Sequence, residues 1–84
     1  MNEPTWGWAV LFVDTGEIAF RSERYQYPHT TRRGLKEYLR KLMGIVYNPD
    51  DDIRYWMFRG DFDTAGGTRM LAQQPKTEIV HSKL

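Results

Sequence analysis

Between Trp6 and Val13 large and small apolar side chains alternate, and Asp14-Thr15-Gly16 interrupts them before the chain returns toward Tyr25. A period of two is the signature of a strand with distinct faces. The tripeptide supplies a three-residue loop with glycine where a left-handed conformation is needed, so Trp6 to Tyr25 is predicted to form a β-hairpin. Pairing across that loop sets Phe12 against Ile18, Val10 against Phe20 and Trp8 against Ser22 on one face. The opposite face then carries Leu11 with Ala19 and Ala9 with Arg21, and is the more polar and open of the two.

After the hairpin, Pro28 biases Tyr27 away from helical angles, and Thr30 or Thr31 is available as an N-cap. Leu35, Tyr38, Leu39 and Leu42 recur at helical spacing, which predicts one amphipathic helix over Thr31 to Met43 with its apolar stripe across the Trp8/Val10/Phe12 face. Gly44 is the expected C′ residue, with Ile45 folding back on Leu39. Asn48-Pro49-Asp50-Asp51-Asp52 is a polar turn. Ile53 to Phe58 follows as a strand, with Ile53, Tyr55 and Met57 on one side, Arg54, Trp56 and Phe58 on the other, and both sides at least partly covered. Residues Arg59 to Gly67 form a glycine-punctuated loop. Thr68 to Gln73 returns either as a fourth strand or as a turn or two of helix. Beyond Pro75, residues 76–84 are an edge strand around Glu78-Ile79-Val80 or a frayed tail. The expected class is α+β: a small antiparallel sheet in ββαβ(β) order with one amphipathic helix packed on one face.

A chain of 84 residues makes one domain, 1–84, and buries only roughly 60 to 65% of its unfolded surface. With 40% hydrophobic residues it relies on aromatics, 14% of the chain, for a dense core. The absence of cysteine removes disulfides, thiolate metal sites and cysteine nucleophiles together. No apolar run approaches the ~18 residues that span a bilayer, and Met1-Asn2-Glu3-Pro4 lacks the basic start of a signal peptide, so a cytoplasmic protein without membrane contact is expected.

Several short motifs suggest chemistry and fail on context. Asp14-Thr15-Gly16 matches the tripeptide carrying the catalytic aspartate of aspartic proteases, where two carboxylates share one proton across a dimer. Here it sits at a hairpin tip, Glu17 follows where those enzymes have a small residue, and no supporting hydrophobic-hydrophobic-glycine segment follows, so a dimeric aspartic-protease-like hydrolase is a remote alternative to a turn. Asp63-Thr64-Ala65-Gly66-Gly67 is similar to the magnesium-side motif of small GTPases, without any phosphate loop upstream. Arg59-Gly60-Asp61 spells an integrin-binding tripeptide with nothing else extracellular beside it. Asp50, Asp51 and Asp52 with Asp61 and Asp63 lack the ligand order of a calcium loop. His29 and His81 have no partners at metal-ligand spacing, and Ser22 and Ser82 stand in no nucleophile elbow. No catalytic residue, metal site or cofactor is assigned.

Charge is more informative in its distribution than in its net value of +1. From Ala19 to Met43, seven basic residues stand against Glu23 and Glu37; from Asn48 to Asp63, five aspartates stand against Arg54 and Arg59. Arg32 and Arg33, in the first turn of the predicted helix, oppose its dipole. With Thr30, Thr31 and free backbone N–H groups they make a candidate anion site, extended by Lys36 and Arg40 along the helix, by Arg21 and Arg24 from the strand, and by Tyr25 and Tyr27 as stacking surfaces. The first functional expectation is therefore a non-catalytic regulatory module that binds nucleic acid or a nucleoprotein complex through this basic helix and hairpin face. The alternative is a protein-protein inhibitor or adaptor, of the kind found among accessory proteins of phages and mobile elements, with Asp50, Asp51, Asp52, Trp56 and Tyr47 meeting a protein target. Homodimerisation through an edge strand at Lys76 to Leu84 is a further expected partnership.

Overall fold

The hairpin forms, but its loop is one residue longer than the tripeptide suggests. The computed structural model describes residues 3–43 and 52–76. In chain order the elements are β1 (Trp6–Phe12), β2 (Glu17–Tyr25), α1 (Pro28–Met43), β3 (Ile53–Arg59) and α2 (Thr64–Ala72). β1 is the centre of an antiparallel sheet of order β2-β1-β3. The α+β class holds, with α1 on one face of the sheet and a second helix, α2, on the other.

Val13 belongs to the turn rather than to the strand. The Phe12 carbonyl accepts from the N–H groups of Thr15 at 3.2 Å and Gly16 at 2.7 Å, and Gly16 takes the left-handed φ of 76°. Phe12 consequently pairs with Glu17, Leu11 with Ile18, Val10 with Ala19 and Ala9 with Phe20. This corrects the predicted register by one position, and in a structure of period two a single step moves every β2 side chain to the other face. Ile18 and Phe20 thus leave the α1 side and furnish the face expected to be open. Near Trp6 the pairing breaks: β2 advances from Arg21 to Tyr25 while β1 advances only from Trp8 to Trp6. Glu23 adopts a positive φ of 53° in this bulge, and a Cβ on Gly7 would overlap the Arg21 carbonyl, so only glycine lets the bulged strand approach β1.

β1 is apolar on both faces, and such a strand needs cover on both sides. On one face Trp8, Val10 and Ile53 pack with Leu35 and Leu39 of α1, joined by Phe12, Tyr55 and Met57. Leu42, expected on the same stripe, lies outside the described side chains. On the other face Ala9 and Phe58 pack with Phe62 and Leu71, joined by Leu11, Ile18 and Trp56. The two faces of β3 divide as its alternation predicts. The segment Thr68 to Gln73 is helical, as part of α2, and not a fourth strand. The motif Asp63-Thr64-Ala65-Gly66-Gly67 is the start of that helix: the Asp63 carboxylate accepts from the Gly66 N–H at 3.1 Å, an N-cap bond.

α1 begins at Pro28, three residues before the predicted start. Proline suits the first helical position, where its missing N–H is not needed and its fixed φ already matches. Thr30 accepts from the Tyr27 N–H at 3.3 Å, so Tyr27 is the cap and Thr30 answers it from the third helical position. The expected cap at Gly44 and Ile45, and the possible strand around Glu78-Ile79-Val80, lie outside the described residues. Lys76 makes an antiparallel bridge with Arg54 on the outer side of β3.

Candidate functional site

The earlier helix start changes the anion site expected there. Arg32 and Arg33 fall in the second turn, beyond the reach of most of the unfavourable dipole effect. Thr31 is fully buried, and its hydroxyl donates to the Tyr27 carbonyl at 2.7 Å, so it holds the helix start together instead of facing a ligand. Pro28 has no N–H, and the N–H groups of Tyr27 and Thr31 are already bonded within the turn. Tyr27 is exposed and stacks on His29, with ring centroids 5.4 Å apart. The first turn therefore offers little of the donor array that an anion at a helix N-terminus requires.

The basic side chains gather elsewhere on α1. At 3.6 residues per turn, Arg33, Glu37 and Lys41 follow one another along one exposed line, with Arg40 beside them. Gly34, Glu37, Tyr38 and Lys41 form one wall of an open groove of about 400 Å³, and Arg21, Arg24 and Tyr25 of β2 form the other. Arg21, Arg24, Glu37 and Lys41 are exposed. Three cations and one carboxylate thus share a trough whose floor is aromatic.

Gly34 sets the width of that groove. A Cβ there would overlap the Tyr25 hydroxyl, so the ring lies against the helix only because residue 34 has no side chain. The Tyr25 hydroxyl in turn accepts from the Trp8 indole N–H at 3.3 Å, which ties the groove floor to the core. Tyr38 closes the floor from the helix side, its ring 4.7 Å from that of Trp8.

Of the residues expected to bind an anion, Arg21 and Arg24 line the groove, and Arg33 and Arg40 stand on the adjoining exposed helix surface. Lys36 is half-buried, and Arg32 points to the other edge of the helix, 6.0 Å from the centre of the Tyr55 ring. Lys41, Gly34 and Tyr38 were not among the expected ligands, whereas Tyr25, expected as a stacking surface, does line the groove. The i to i+4 step from Arg33 through Glu37 to Lys41 is the signal that points to Lys41. Among the described residues, Arg54 and Asp52 form an ion pair, and none of the groove cations is in one.

Of the residues proposed for a protein partner, the structure describes Asp52 and Trp56. Asp50, Asp51 and Tyr47 lie outside the described residues. Asp52 is engaged by Arg54, and its carbonyl accepts from the Val13 N–H at 3.0 Å. Trp56 is half-buried against Phe58, 5.1 Å between centroids, and with Trp6 and Met70 it lines a cleft of about 570 Å³ beside α2. Asp14 is exposed at the hairpin tip. Arg59-Gly60-Asp61 leads out of β3: Gly60 takes a φ of 81° and donates to the Thr5 carbonyl at 2.7 Å, while the Arg59 guanidinium stands 5.4 Å from the Trp6 ring centre. No group of three or more metal-ligating side chains occurs among the described residues, and no helix there is long and apolar enough to cross a membrane.

No family model, curated protein or solved structure matches the chain.

Proposed function

We propose that this chain is a non-catalytic binding module for polyanions, nucleic acid foremost, and that it engages them through the exposed surface of α1 and the groove between α1 and β2. The observation that carries this is the convergence of Arg21, Arg24 and Lys41 on one groove, next to exposed Arg33 and Arg40, with Glu37 the one carboxylate among the described residues that line it. Among the described residues none of these cations is in an ion pair, and exposed cations of this kind are hydrated and surrounded by mobile anions. A phosphate backbone that replaces those anions releases counterions, and this release drives binding that falls steeply with salt. A phosphate backbone can run along an open groove lined in this way. The half-buried rings of Tyr25 and Tyr38 offer apolar surface to a sugar or an unpaired base.

Fluorescence anisotropy with labelled single-stranded RNA, single-stranded DNA and duplex DNA, at low and physiological salt, tests this. Binding is expected at low salt, with affinity falling as salt rises. Arg33→Ala, Arg40→Ala and Lys41→Ala should each reduce the salt slope by about one. An absence of binding to all three probes at low salt, by a protein whose fold is intact, would sink the proposal. A protein partner in the cleft lined by Trp6, Trp56 and Met70 is the second possibility, favoured by the 39% exposure of Met70 beside two tryptophans.

A further inference from the structure

The sheet has two edges, and they differ. Lys76 bridges to Arg54 on the outer side of β3, whereas no described residue pairs with the outer side of β2. An edge strand presents a row of N–H and C=O groups that another strand can satisfy. Proteins commonly protect such edges with proline, lysine or a bulge. Between Glu17 and Arg21 there is no proline, lysine or bulge, and the two charged residues stand at its ends with Ile18, Ala19 and Phe20 between them; the bulge comes later, at Ser22 to Arg24. Phe20 lies in this unprotected stretch and is 47% exposed, although it stacks on Phe62 with centroids 4.6 Å apart.

We infer that this edge is a self-association surface, at which a second copy of the chain adds its own β2 antiparallel, centred on Ala19. Geometry restricts the possible registers. A two-fold axis normal to the sheet keeps every side chain on its own face, so residues that stand opposite must share a face and differ by an even number of positions. Centring on Phe20 opposes Glu17 to Glu23 and runs into the bulge. Centring on Arg21 opposes two arginines and runs into it as well. Centring on Ile18 leaves only Glu17 to Ala19 paired. Centring on Ala19 opposes Glu17 to the partner's Arg21 twice, and Ile18 to the partner's Phe20 twice, with the small Ala19 side chains meeting at the axis. The bulge then lies outside the paired segment.

Both faces gain from this arrangement. Glu17 and Arg21 lie on the α1 side, where they form two symmetric ion pairs. Ile18 and Phe20 lie on the α2 side, where the partner's Ile18 extends the ring stack of Phe20 on Phe62. The product is a continuous sheet of order β3-β1-β2-β2-β1-β3. Both α1 helices remain on one side of it, so the two grooves face the same way; Arg21 is taken up by the ion pair with the partner's Glu17, and Arg24 and Lys41 of each copy remain for a long polyanion. Pairing through β2 does not require a bound polyanion.

Sedimentation velocity on the intact chain, from micromolar to millimolar concentration, reads the association directly. Glu17→Arg and Arg21→Glu each place like charges opposite one another, and each should raise the dimer dissociation constant by about tenfold or more. Mixing the two variants restores complementary pairs and should return a dimer of mixed composition, as should the double variant E17R/R21E with itself. Circular dichroism melts establish that each variant is folded. A parent that stays monomeric throughout, a dimer indifferent to the single reversals, or a mixture that does not recover would each overturn the inference. Glu17→Arg adds positive charge and should not weaken nucleic-acid binding by monomers, so loss of the dimer and loss of polyanion binding are separately visible.

Discussion

The two faces of the sheet are covered by helices of very different capacity. α1 runs for 16 residues and buries Leu35 and Leu39 completely against Trp8, Val10 and Ile53. α2 has nine residues, buries only Gly67 and Leu71, and leaves Phe20 and Met70 substantially exposed. Both helices nonetheless dock in the same manner, with a glycine beneath an aromatic ring: Gly34 under Tyr25, and Gly67 under Phe62. The α1 face therefore supplies most of the stabilisation, while the α2 face depends on a few specific devices. Among these are the Asp63 cap and the hydrogen bond of 2.8 Å from the Phe62 N–H to the Ser22 hydroxyl, which fastens the approach to α2 to the bulge of β2.

The sharpest way to break this asymmetry is to remove bulk from the stronger face. Leu39 is fully buried among large side chains, so Leu39→Ala should cost about 2 to 5 kcal/mol, the range for leucine truncation that leaves a cavity. Urea unfolding should register this as a lower midpoint with an unchanged slope. A loss below about 1 kcal/mol, the scale of a surface change, would mean that the α1 face is not the principal core.

The paired glycines separate the two faces further. Alanine favours a helix interior over glycine by about 1 kcal/mol, yet a Cβ at either position would meet a ring. Overpacking typically costs about 1 to 3 kcal/mol, so Gly34→Ala and Gly67→Ala should both destabilise on balance. The Tyr25 ring borders the open groove and can yield, whereas Phe62 is buried between Phe20 and Phe58. Gly67→Ala should therefore be the more damaging. Thermal melts of the two variants side by side check the order, and a larger loss at Gly34 would reverse the argument.

What was legible in the sequence follows the same division. Periodicity revealed the Trp8/Val10/Phe12 face, the Leu35/Leu39 stripe that covers it and both faces of β3, because those segments are long enough for their period to stand out. The register of β2 was not legible. Val13 is apolar and continues the β1 pattern, yet it sits in the turn at 40% exposure, and this one residue exchanged the two faces of β2. α2 was only half visible, because Gly66 and Gly67 resemble a loop until Phe62 is known to lie on Gly67. At the candidate site the cluster of positive charge was apparent, but its placement was not. Pro28 resembles a break before a helix as readily as its first residue, and that choice moved Arg32 and Arg33 out of the first turn. The groove needed Arg21 and Arg24 to be set opposite Lys41, a relation between distant segments that no local pattern contains.

The smallest of these effects isolates the weaker face most cleanly. Asp63 is exposed, and its carboxylate accepts the Gly66 N–H, one of the donors that the first turn of α2 cannot satisfy internally. Asp63→Ala removes that acceptor and the negative charge that complements the helix dipole, while leaving Leu71 and Phe62 in place. The cost should be about 0.5 to 2 kcal/mol, and Asp63→Asn, which retains an acceptor, should recover most of it. Because α2 is a short helix with two glycines, the loss should be local as well as global. Amides of α2 should exchange with solvent faster by a larger factor than those of α1, whose own cap at Tyr27 and Thr30 is untouched. If hydrogen exchange accelerated equally in both helices, the two faces would open as one cooperative unit. The sheet would then transmit the loss of a single cap from one side to the other, and the proposed division of labour between the faces would fail.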